Sequence, residues 1–122
     1  MKINNYSFTF KGKSDYKDLA PVFPDILKII LEKNGHFQNE EDEESVQMFI
    51  ELNMIDIELN RKPEGYNRKG KFRLVFPIGE KGFYVRSIVA TENEMKDIGE
   101  DIAALLKKAK IKFDSSSGNV TD

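Results

Sequence analysis

Two apolar runs, Phe72 to Phe76 (FRLVF) and Phe83 to Ala90 (FYVRSIVA), stand on either side of Gly79-Glu80-Lys81-Gly82. Alternating segments around a short glycine-bounded turn are the composition of an antiparallel β-hairpin. The pattern is restrictive because side chains of a strand alternate between faces, so each run has one face to bury. Phe72, Leu74 and Phe76 point one way and Arg73 and Val75 the other; Phe83, Val85 and Val89 oppose Tyr84, Arg86, Ile88 and Ala90. A sheet containing this hairpin needs a second layer over its phenylalanine face.

The sequence supplies helices for that layer. Thr91-Glu92-Asn93-Glu94 has the spacing of a capping box, in which the threonine oxygen takes an orphan helix amide and the glutamate reaches back to the threonine amide. The helix that follows carries Met95, Ile98, Ile102, Leu105 and Leu106 as an inward stripe. Acidic residues at its start and Lys107, Lys108 and Lys110 at its end suit the helix dipole. Gly99 in its interior costs about 1 kcal/mol relative to alanine unless another segment approaches closely there.

Upstream, Tyr6, Phe8 and Phe10 alternate with Ser7, Thr9 and Lys11, which predicts a strand over 4–11. Pro21 and Pro24 cannot both lie inside one helix, so a helix begins near Pro24, presents Ile26, Leu27, Ile29, Ile30 and Leu31, and stops at Asn34-Gly35. Residues 46–59 match two templates. Val46, Met48, Ile50, Leu52 and Met54 alternate and then shift phase to Ile55, Ile57 and Leu59, as at a β-bulge, whereas Val46, Phe49, Ile50, Met54 and Ile57 fit a helix behind the carboxylates of Glu40 to Glu44. The clean alternation of MIDIEL decides for a strand. The expected fold is α+β, in the order β-α-β-β-β-α, with an antiparallel sheet of about four strands covered on one face by two helices. Its element order over 24–110 is also that of double-stranded RNA-binding domains, but the position of their basic cluster here reads ENEMKD, and nothing carries over.

A chain of 122 residues suits one domain, expected over 1–113, with 114–122 (DSSSGNVTD) a flexible polar tail that has nothing to bury. The absence of cysteine removes disulfides and thiolate zinc sites. No apolar run approaches the roughly 20 residues of a membrane helix, and MKINNYSFTF lacks a signal-peptide core, so the expectation is a cytoplasmic protein without membrane contact.

A net charge of −2 selects no partner by itself, but the charge is segregated. Glu40, Glu41, Asp42, Glu43 and Glu44, with Glu51, Asp56 and Glu58, form an acidic group containing no basic residue. Arg61, Lys62, Arg68, Lys69, Lys71 and Arg73 form a basic one around Tyr66, opposed only by Glu64. The bland reading of both is solvated loops. No EF-hand spacing, phosphate loop or nucleophile motif is present, and His36 with Glu40 is a poor ligand pair, so no metal, cofactor or catalytic residue is assigned. Two functional expectations follow. The first is a non-enzymatic protein-binding module of the inhibitor, antitoxin, immunity or phage accessory type, contacting another protein through the acidic group. The second is a single-stranded nucleic-acid binder using the basic group and Tyr66, with Arg73, Tyr84 and Arg86 as the adjoining platform. Phe113 or an unpaired strand edge offers a route to a homodimer.

Overall fold

The computed structural model describes residues 2–35, 39–68 and 70–121. Four strands, β1 (Lys2–Phe10), β2 (Arg73–Val75), β3 (Gly82–Ser87) and β4 (Phe113–Thr121), make one antiparallel sheet in the order β2-β3-β1-β4. Three helices, α1 (Phe23–Lys33), α2 (Glu40–Glu58) and α3 (Glu92–Lys108), complete an α+β fold, and a short 3₁₀ turn spans Tyr16–Leu19. The hairpin forms where the alternation placed it, with Leu74 opposite Val85 and Val75 opposite Tyr84, although β3 ends at Ser87 and Val89 is exposed.

The alternation divides the sheet into two faces. Phe8, Phe10, Leu74, Phe83 and Val85 are buried and meet α1 and α3 through Phe23, Ile26, Leu27, Ile30, Ile98, Ile102 and Leu106. Tilted rings pack against one another through this layer, with Phe8 and Phe83 at 5.0 Å and Phe76 and Phe83 at 5.3 Å between centroids. The other face carries Asn5, Ser7, Tyr84, Arg86, Arg73 and Val75, all half-buried, as expected of a sheet surface without a covering layer.

Two expectations are corrected. Residues 46–58 lie in α2 and Leu59 caps its end, so the stretch expected as a bulged strand is helical. Asn39 caps it by accepting the Asp42 N–H at 2.9 Å, and four carboxylates in its first turn suit the positive end of the helix dipole. The alternation arises because α2 is apolar on two faces. Val46, Ile50, Asn53 and Ile57 are buried, while Met48, Leu52, Ile55 and Leu59 are exposed about half a turn away, and interleaving the two stripes imitates a period of two. With 46–59 helical, the element order shared with double-stranded RNA-binding domains disappears.

The second correction is the expected tail. Phe113–Thr121 is β4, which pairs with β1 along its whole length from Phe10↔Phe113 to Lys2↔Thr121. Phe113 anchors its start edge-on to Phe8 at 5.7 Å. Asp114 to Gly118 are exposed on both faces, so this edge strand needs no alternation, and its backbone ladder holds it in place.

Asp15 joins three segments. Its carboxylate caps the 3₁₀ turn by accepting from the Tyr16 N–H at 2.8 Å, pairs with Lys81 Nζ of the hairpin turn at 2.7 Å, and meets Asn60 Nδ2 at the end of α2 at 3.4 Å. The Lys81 ammonium, more than the other neighbours, holds the Asp15 carboxyl below its ordinary range. A depressed carboxyl stabilises the fold above the unfolded value near pH 4, and that stabilisation fades as pH falls through the folded value. The thermal midpoint is therefore expected to be flat from about pH 7 to 5 and to fall below about pH 4. Asp15→Asn should show a shallower acid limb, and two superimposable profiles would contradict this role.

Candidate functional site

Every expected partner-binding carboxylate lies on α2, the helix that the strand reading dissolved. Glu40, Glu41, Glu43 and Glu44 are exposed around its first turn, Asp42 is half-buried there, and Glu51 and Glu58 are exposed further along. Asp56 is not available in the same way, since it pairs with Arg61 at 2.9 Å. Among the described residues none of Glu44, Glu51 and Glu58 takes part in an ion pair, and Glu51 accepts only a hydrogen bond from Gln47 Nε2, at 3.3 Å.

The same helix exposes four large apolar side chains. Met48, Leu52, Ile55 and Leu59 are 48%, 52%, 54% and 61% accessible, and their spacing of four, three and four residues aligns them along one side. The opposite side is fixed to the body. Val46, Ile50 and Ile57 enter the core, and Asn53, 3% accessible, accepts the Gly65 N–H at 2.7 Å while its Nδ2 donates to the Phe49 and Gly65 carbonyls. Asn34 does the same at the end of α1, accepting the Phe72 N–H at 2.8 Å and donating to the Phe72 carbonyl at 2.9 Å. These two asparagines hold Gly65 against α2 and Phe72 against α1, and α2 cannot turn its apolar stripe inward.

The basic group is dispersed. Tyr66 is only 3% accessible, bridged to Leu74 in the sheet and edge-on to Phe49 at 5.1 Å, so its ring cannot lie under a nucleobase. This corrects its expected stacking role. The physical reason is packing, since the backbone bridge to Leu74 seats the ring against Phe49 of α2 and inside the core. Arg61 is engaged with Asp56, Lys71 with Glu94, and Arg68 lies 4.9 Å over the Phe49 ring. Lys62 is exposed. Lys69, like His36, lies outside the described residues. Arg73 and Arg86 are direct cross-strand partners on the open sheet face, with Tyr84 one step along β3. With Tyr66 buried and Arg61 and Lys71 paired with carboxylates, the described members of that reading do not form one open surface of cations and rings.

The exposed stripe is hidden in the sequence for the reason that hides the helix: its four members fit the alternation of a strand. Their mutual spacing, repeated by the buried stripe two residues earlier, is the signal that separates the two. Elsewhere, a shallow groove between α3 and β4 is lined by Tyr6, Lys96, Glu100 and Ser117. Among the described residues no group of three acidic or histidine side chains could hold a metal ion, and no helix is long and apolar enough to cross a membrane.

Comparison with known proteins finds no match to this chain among family models, curated sequences or solved structures. The geometry of α2 is therefore the basis for a functional reading.

Proposed function

We propose that this chain is a non-enzymatic protein-binding module and that the outer face of α2 is its docking element. One observation carries the reading: Met48, Leu52, Ile55 and Leu59 form a continuous exposed apolar stripe, bordered by the carboxylates of Glu44, Glu51 and Glu58, on a helix whose other face is anchored. Single exposed apolar residues are ordinary, but an aligned set with a charged border has the anatomy of an interface core and rim. The acidic group then serves as that rim rather than as the binding surface itself.

The test follows from this division. Reversing Glu41, Glu43 and Glu44 would remove carboxylates that also stabilise the first turn, so lost binding could reflect a frayed helix. Leu52→Ser with Ile55→Ser touches only exposed positions, where substitutions usually change stability by about 0.5 kcal/mol or less. Immobilised wild-type protein should retain a partner from lysate that the double variant loses, with thermal midpoints within a few degrees. Equal retention by both proteins would refute the assignment.

A further inference from the structure

We infer that the partner segment received by α2 is itself a helix, laid along the stripe, with lysine or arginine on the flank that meets Glu44, Glu51 and Glu58. This rests on the docking reading above and specifies its chemistry. The spacing of Met48, Leu52, Ile55 and Leu59 is that of the seam by which one helix packs along another at a shallow angle. The stripe runs about 16 Å, three turns, which a partner helix of similar length can cover.

The two borders of the seam differ. On one side Glu44, Glu51 and Glu58 recur every seven residues and stay beside the seam along its length. On the other, Phe49 and Asp56 are occupied by Arg68 and Arg61 of the following loop. The second border thus carries the Arg68 cation, and uncompensated negative charge is confined to the border of Glu44, Glu51 and Glu58. A basic flank gains attraction there, while an acidic flank is repelled.

A second copy of this chain fits the seam poorly. Two α2 helices packed antiparallel set the Glu51 borders against each other, and packed parallel they bring two first turns of carboxylates and two positive helix ends together. An anionic membrane surface meets the same repulsion.

The probes are two synthetic helical peptides of about 21 residues, six turns, with leucine along the seam, glutamine on one flank, and either lysine or glutamate on the flank that meets Glu44, Glu51 and Glu58. Titrated with the full chain at about 50 mM salt, the lysine peptide should bind about tenfold tighter than the glutamate peptide, and the advantage should shrink to less than about twofold near 1 M salt. Glu44→Lys, Glu51→Lys and Glu58→Lys together should reverse the preference, and Leu52→Ser with Ile55→Ser should abolish binding of both, with unchanged melts. Equal affinity for both peptides, or no binding of either, overturns the inference. If the serine variant nevertheless loses a lysate partner that wild type retains, the docking face stands and only the basic helix falls. Sedimentation showing a wild-type dimer that the serine variant dissolves would overturn it in favour of a second copy.

Discussion

Asn53→Leu is expected to cost about 3 kcal/mol and to lower the thermal midpoint by roughly 10 °C, although leucine keeps the branched outline and heavy-atom count of asparagine. The side chain is buried, and its amide answers both backbone groups of Gly65. Leucine would leave the Gly65 N–H facing an apolar atom, and a buried donor without a partner costs about 1–3 kcal/mol before the lost carbonyl bond is added. The segment cannot relax easily, because a Cβ at Gly65 would already stand 2.3 Å from the Leu74 carbonyl oxygen, a measure of how tightly the backbone is seated. Hydrogen exchange should localise the damage, with faster exchange from Gly65 to Tyr66 and at the Leu74 N–H that donates to the Tyr66 carbonyl. A leucine variant as stable as wild type would show that this asparagine is not a structural clamp.

Gly99→Ala should also destabilise, by about 1–3 kcal/mol, against the usual gain of about 1 kcal/mol for this change inside a helix. A Cβ at Gly99 would lie 2.4 Å from atoms of the Tyr6 ring, so α3 could keep its distance from β1 only if the ring moved. The decisive comparison is the same substitution in a Tyr6→Ala background, where the obstacle is gone and alanine should be the more stable choice. The effect of one residue thus changes sign with its neighbour, and a double-mutant cycle reads it directly. Stabilisation in both backgrounds would rule out the close approach.

This second prediction was half legible in the sequence, which marked Gly99 as costly unless something came near it; only the fold shows that the neighbour is Tyr6. The hairpin, β1, α1 and the capping box of α3 were readable for a common reason. Each has one face buried and one solvated, so its period is visible in the residues. The two misread segments break that condition in opposite ways. The helix α2 is apolar on both sides, so its two stripes merge into an apparent alternation, whereas β4 is polar on both sides and shows none. The clamps were illegible for another reason. Asn53 occupies a core position in the buried stripe with Val46, Ile50 and Ile57, and a polar residue there signals a buried partner without naming which loop will provide it. The charged groups are segregated along the sequence, but in the fold Arg61 pairs with Asp56, and their chemistry depends on neighbours that the sequence does not name, as the burial of Tyr66 and the pairing of Lys71 with Glu94 also show.

The central position of β1 has a consequence for synthesis. Phe8 faces Phe83 on one side and Ser115 on the other, so the strand must be translated well before either neighbour exists. At roughly 5–20 residues per second, the ribosome needs several seconds to reach β3 and longer to reach β4. During that interval an alternating phenylalanine-bearing strand has both edges open, and nascent-chain shielding at that stage should govern the yield of folded protein more than the stability of the finished sheet.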